Sequence, residues 1–148
     1  MDCLFWNCRG ANKPNFRRAI RYMLKNYKTD FLAMFETHSG GNRAERICRG
    51  LGFDNSYRVD AVGQSGGIWL LWRSGFGDLT IIESSDQFVV VRLQSDSEVL
   101  NIIAVYAAPS ASRRSGLWEK LTEIIERLDG PVVIGGDFNT IVRLDERT

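Results

Sequence analysis

Five strand-like runs crowd the middle of the chain, at 54–61, 67–73, 79–83, 88–93 and 98–106, with only short Gly-, Ser- and Asp-containing stretches between them. A parallel strand connection needs a crossover of roughly a dozen residues or more, so runs this close can pair only with antiparallel neighbours. The spacing therefore predicts an antiparallel meander bounded by turns.

The flanks of that block follow a different rhythm. Residues 3–8 are mostly apolar and aromatic and read as a short buried strand, followed by the loop-forming cluster 10–15. Phe16, Ile20, Met23, Leu24 and Tyr27 then recur at helical spacing, with Arg17, Arg18, Arg21, Lys25 and Lys28 mostly off that stripe. The apolar run 31–35 reads as a second buried strand, which makes the opening β-α-β. A shorter helix is expected from Asn42 to about Arg49, closed by Gly50 and Gly52. After the central block, 109–115 reads as a polar loop that initiates a helix. Leu117, Leu121, Ile124, Ile125 and Leu128 mark that helix, Gly130-Pro131 stops it, and 132–139 is a last strand.

At 148 residues, 44% apolar and 25% charged, the chain has the make-up of one ordinary folded domain. Nineteen Lys and Arg face eighteen Asp and Glu, a balance that excludes a polybasic partner mode but leaves room for a local basic face. The set on the first helix reads as a solvated face or as a contact for a phosphate backbone. Cys3, Cys8 and Cys48 have neither disulfide-framework nor zinc spacing. The start carries an acid where a signal peptide needs cations, and no run is long enough to span a membrane. The expected location is nuclear or cytoplasmic, not secreted.

Polar groups fall at the C-terminal ends of the apolar strands, the edge where open α/β sheets bind ligands. Asn7 ends the first strand and Glu36 the second, Tyr106 ends the central block, and Asp137 and Asn139 end the last strand. Side chains two apart on an extended strand share a face, so Asp137 and Asn139 form one polar unit and Phe138 points away. Gly135 and Gly136 permit a bend or a close approach just before that unit. Glu36 offers a hard carboxylate oxygen, which magnesium prefers, and magnesium needs only one or two protein carboxylates besides water and phosphate. Each position taken alone also reads as a turn former, a cap or a core-edge aromatic.

Taken in order, W-N-C-R-G (6–10), F-E-T-H (35–38), V-Y-A-A-P (105–109) and G-G-D-F-N-T-I (135–141) resemble the endonuclease/exonuclease/phosphatase family. Within it, the chain is similar to the apurinic-endonuclease-like domain of plant non-LTR (long interspersed) retrotransposons, a likeness to which S-G-G-I-W-L-L-W (65–72) adds. The resemblance implies a four-layer α/β/β/α sandwich, a mixed sheet arrangement flanked by helices, of which 1–148 would be the N-terminal part. It implies a phosphodiesterase acting on DNA with Mg²⁺ (or Mn²⁺) held by Glu36 and Asn7. Asp137 would activate or orient the attacking water, Asn139 would hold that site in register, and Tyr106 would hydrogen-bond the phosphate.

Two departures from the family pattern stand out. Arg9 occupies a position that is commonly acidic, which shifts metal binding toward Glu36 and makes Arg9 a candidate substrate contact. The later Asp/Asn strand and the terminal S-D-H segment, whose His contacts phosphate, do not occur before Thr148. His38, two residues after Glu36, is a surface or capping residue or a substitute for that His. An incomplete second sheet would leave an apolar face open to self-association. Two other readings remain beside the nuclease: a non-catalytic metal- or nucleic-acid-binding remnant, and a phosphatase of the same family.

Overall fold

The computed structural model describes residues 2–61 and 66–138. Strand β1 (Cys3–Asn7), helix α1 (Pro14–Asn26) and strand β2 (Phe31–Phe35) form the expected β-α-β opening, with β1 and β2 parallel. Helix α2 (Gly41–Arg49) leads to the antiparallel hairpin β3 (Asn55–Val59) and β4 (Ile68–Trp72). Strands β5 (Asp78–Ser84), β6 (Phe88–Ser95) and β7 (Glu98–Tyr106) follow, then helix α3 (Ala111–Arg127) and β8 (Val132–Asp137).

The strands make two mixed sheets, ordered β1-β2-β4-β3 and β5-β6-β7-β8. The central block is therefore not one meander. Its first two strands complete the first sheet and its last three begin the second, with a single 3₁₀ turn at Ser74–Phe76 between them. The reason is edge availability: β4 is already paired on one side with β2 and on the other with β3, so β5 has no free edge there.

Alternation along the strands sets the layers. In β2, Phe31, Ala33 and Phe35 face Val89, Val91, Ile102 and Ala104 of the second sheet, while Leu32 and Met34 face Phe16 and Ile20 of α1 and Ala44 and Cys48 of α2. On the far side, Val90, Ile103 and Val105 pack on Leu117, Leu121 and Ile124 of α3. The architecture is the expected α/β/β/α sandwich. Strands buried on both faces explain why β2 reads as an unbroken apolar run.

Helix α3 starts at Ala111, ahead of the first apolar stripe residue. Its opening turn projects past the core, so its sequence is polar, and the Arg114 side chain ties it back to the carbonyls of Ala108 (3.0 Å) and Pro109 (2.5 Å). At the opposite end, buried Asn101 donates from Nδ2 to Asp129 O (2.7 Å) and Pro131 O (3.3 Å), fixing the turn from which β8 enters parallel to β7. Each sheet thus contains one parallel pair joined through a helix, β1-α1-β2 and β7-α3-β8.

The two pairs meet where β1 crosses β8. A Cβ on Gly135 would lie 2.7 Å from the Phe5 ring, so the aromatic occupies the space of the missing side chain. At Gly136 the backbone has φ of 138°, and a Cβ would lie 1.9 Å from Val105 O, which excludes other residues there. Beyond the glycines, Phe138 stacks on Trp118 of α3 with centroids 6.0 Å apart, so it faces away from the other sheet. Among the described residues no helix is long and apolar enough to cross a membrane.

Overpacking a filled contact typically costs about 1–3 kcal/mol. Gly135→Ala is expected to lose about that much stability in urea unfolding, and Phe5→Leu in the same chain to recover part of it. Additive losses in the double variant would show that the ring and the glycine do not share this space.

Candidate active site

The site grows from the way two strands end. After Asn7 the chain turns through Arg9, whose φ is +53° and whose backbone N–H donates to Asn7 Oδ1 at 3.1 Å. After Phe35 it turns through Glu36 (φ +54°) and His38 (φ +53°). A left-handed backbone at a non-glycine residue costs about 1–3 kcal/mol and persists only where its surroundings enforce it. Here the two turns enforce each other: Gly10 N–H donates to Glu36 O (2.7 Å) and Ala11 N–H to Thr37 O (2.8 Å). From the other side, His38 N–H donates to Gly66 O at 3.0 Å. Thr37 is fully buried, and a Cβ on Gly67 would lie 2.1 Å from its Oγ1, so Gly67 is needed for the pair to close.

This geometry aims three side chains at one point. The Asn7 amide Nδ2 donates to Glu36 Oε2 and, at 3.0 Å, to Asp137 Oδ2. One neutral amide therefore bridges two carboxylates, one from each sheet. His38 Nε2 stands 3.8 Å from Glu36 Oε1. Tyr106 is Asp137's partner in the β7–β8 register, and its own backbone N–H donates to Gln87 O at 2.8 Å. Tyr106 is buried and lines a cleft of about 280 Å³ between the two sheets, with Gly66, Gly67, Gln87 and Arg113 on its walls. Arg9, two residues past Asn7, is exposed. Asn139 lies outside the described residues.

Sequence patterning gives no role to four residues that build this edge. Gln87 accepts from Ala108 N–H through Oε1 (2.7 Å) and so braces the backbone after Tyr106. Asp86 pairs with Arg113 across the cleft mouth. Thr37 and Gly67 lock the Glu36 turn. Asp86 and Gln87 sit in an ordinary polar turn between β5 and β6, and nothing in that turn's composition distinguishes them.

Glu36 and Asp137 present hard carboxylate oxygens, the donor type of Mg²⁺ and Mn²⁺, while the Asn7 amide turns its N–H side to them and its Oδ1 to the Arg9 N–H, so it would ligate a cation with the amide turned over. Among the described residues no three or more His, Cys, Asp or Glu side chains converge as a metal cage. Two carboxylates about a neutral amide fit instead the sparse set with which magnesium completes its shell through water and phosphate. Cys8, next to Asn7, is free and partly buried. Its thiol lies 3.4 Å from Phe35 O, and burial pushes its pKa up to about 11.

The family model for the endonuclease/exonuclease/phosphatase family matches residues 4–148. The chain belongs to that family. Among solved structures, truncated TDP2 from Caenorhabditis elegans is similar at 18% identity and TM-score 0.67, covering 97% of this chain and 63% of that one. The endonuclease domain of TRAS1, a telomere-specific non-LTR retrotransposon, is similar at 12% identity and TM-score 0.66, covering 94% and 60%. An AP endonuclease from Archaeoglobus fulgidus is similar at 18% identity and TM-score 0.66, covering 95% and 58%. These likenesses are of fold, and the chain spans about three-fifths of the length of each structure. No curated protein matches it by sequence.

Burial raises the thiol pKa of Cys8 and of Cys48 to about 11, from 9.0. Since thiolate is the reactive form, iodoacetamide at pH 8 is expected to modify exposed Cys3 first and to leave Cys8 and Cys48 intact in the folded chain. Their reactivity should rise only as pH climbs from about 9 toward 11. Peptide mass mapping checks this, and prompt labelling of Cys8 at pH 8 would contradict the burial of the first turn.

Proposed function

We propose that this chain is part of a divalent-metal-dependent endonuclease domain that hydrolyses phosphodiester bonds in DNA. The observation that carries the reading is the Asn7 amide bridging Glu36 and Asp137, which unites acids from separate sheets at one edge. Family membership supports the reaction class. Solved structures of the same fold include D. rerio TDP2 complexed with single-strand DNA product and the Neisseria 3′ phosphatase NExo bound to product DNA hairpin, which favours DNA as the substrate here.

A Mg²⁺ or Mn²⁺ ion held by Glu36 and Asn7 would neutralise charge building on the scissile phosphate. Asp137 orients the attacking water and takes its proton as the new P–O bond forms and the ester P–O bond breaks, the leaving oxygen taking a proton from solvent water. Asn139 keeps that carboxylate in register. The Tyr106 hydroxyl donates to a phosphate oxygen, and exposed Arg9 contacts a neighbouring phosphate. Residues 1–148 belong to a single such domain, of retroelement origin. A nuclear or cytoplasmic site of action accords with DNA as partner and with three free cysteines.

A second partner reading rests on β8. It is the outer strand of its sheet among the described residues, and Val133 and Ile134 are 43% and 40% exposed. Such an edge favours pairing with a second copy of the chain. Ile134→Lys is expected to lower the sedimentation coefficient at high concentration, and an unchanged coefficient would count against pairing at β8.

Plasmid nicking tests the main reading. Slow Mg²⁺-dependent nicking, stopped by chelator, is expected, with Glu36→Gln and Asp137→Asn each lowering the rate by about 10²-fold or more. Nicking indifferent to both substitutions would contradict it. Faster turnover of small phosphate monoesters than of DNA would favour the phosphatase. Salt-dependent DNA binding without cleavage, unaffected by Glu36→Ala and Asp137→Ala, would favour a binding module.

A further inference from the structure

Helices α1 and α2 lie side by side on the outer face of the first sheet, and two adjoining clefts of about 500 and 480 Å³ run between them. They share Phe16, Arg17, Arg46 and Ile47 and so form one groove. Lys13, Arg17, Arg21, Lys25, Arg43 and Arg46 line it, all six exposed, and no acidic residue does. None of the six makes an ion pair among the described residues. In a chain of net charge +1 this is a strong local segregation.

The helices gain little from it: Lys25 and Arg46 suit the dipole in last turns, but the other four do not. Lys13, Arg17, Arg21 and Lys25 follow one another at four-residue steps, roughly 6 Å apart along the axis, where like charges repel. Arg17 and Arg43 sit in first turns that carry no acid, at the helix ends where the dipole favours anions. Cations crowded together, four of the six away from the helix ends that favour them, call for an external polyanion.

The groove's position chooses among polyanions. Its near end contains Ala11 and Asn12, which bond to Thr37 O (2.8 Å) and His38 O (3.1 Å), the residues following Glu36. From there it leads away along α1 past Arg21 and Lys25. We propose that this groove is a phosphate track for a single-stranded stretch of DNA flanking the bond to be cut. The proposal rests on the nuclease reading above. An acidic polypeptide would match the charge, but the opening beside the catalytic edge favours the substrate strand itself.

Fluorescence anisotropy with Glu36→Gln protein in chelator separates the possibilities, using single-stranded oligonucleotides of about 6 and about 24 nucleotides. The longer strand is expected to bind more tightly. Arg21→Ser, Lys25→Ser and Arg46→Ser combined should remove that advantage, leave the short strand's affinity unchanged, and reduce the slope of log K against log salt by about 2, near 0.7 per lost phosphate contact. Circular dichroism verifies folding, and single Lys25→Glu provides the same comparison should the triple variant not fold. An unchanged slope and length dependence would overturn the track while leaving the nuclease reading intact. Tighter binding of poly-glutamate than of DNA would overturn it in favour of a protein partner. Failure of the parent chain to bind either strand would remove both readings.

Discussion

The Phe5 ring and the bare backbone of Gly135 hold this molecule in working form. Glu36 belongs to one sheet and Asp137 to the other, and only a close approach of β1 to β8 lets the Asn7 amide reach both. A side chain at 135 would have to occupy the aromatic's space, and a wider sheet separation would break the bridge. Packing and chemistry are therefore one constraint here: the contact that closes the sandwich core also sets the distance between the acids.

That constraint explains where backbone strain is spent. Four non-glycine residues in the described chain have positive φ, and three of them, Arg9, Glu36 and His38, lie at this edge. Strained conformations persist where surrounding structure over-determines them, and here two turns and Gly66-Gly67 brace one another. The strain rotates Glu36 out of the strand direction toward Asn7. A residue simply continuing β2 would have pointed into a core layer.

Much of this was legible in the residues. Apolar runs ending in Asn7, Glu36, Tyr106 and Asp137 mark the edge: β2 and the second half of β7 are buried on both faces and stay apolar until they leave the core, and the partly covered β1 and β8 end the same way. The change of sheet after β4 was not legible, since spacing says that neighbours are antiparallel but not that an edge is already taken on both sides. The early start of α3 escaped because its first turn covers no core and so carries no apolar stripe. Gln87 and Thr37 act through tertiary contacts, which local sequence does not encode. The basic residues of α1 looked like any solvated face until α2 placed Arg43 and Arg46 across from them.

The central claim is that acids from two sheets form one divalent-cation site through Asn7. Mn²⁺ titration followed by electron paramagnetic resonance tests it without depending on turnover. One Mn²⁺ per chain is expected, lost in Glu36→Gln and weakened about 10–100-fold in Asp137→Asn, because Asp137 orients the amide between them. Mn²⁺ binding that is absent in the parent chain, or indifferent to both substitutions, would contradict the account.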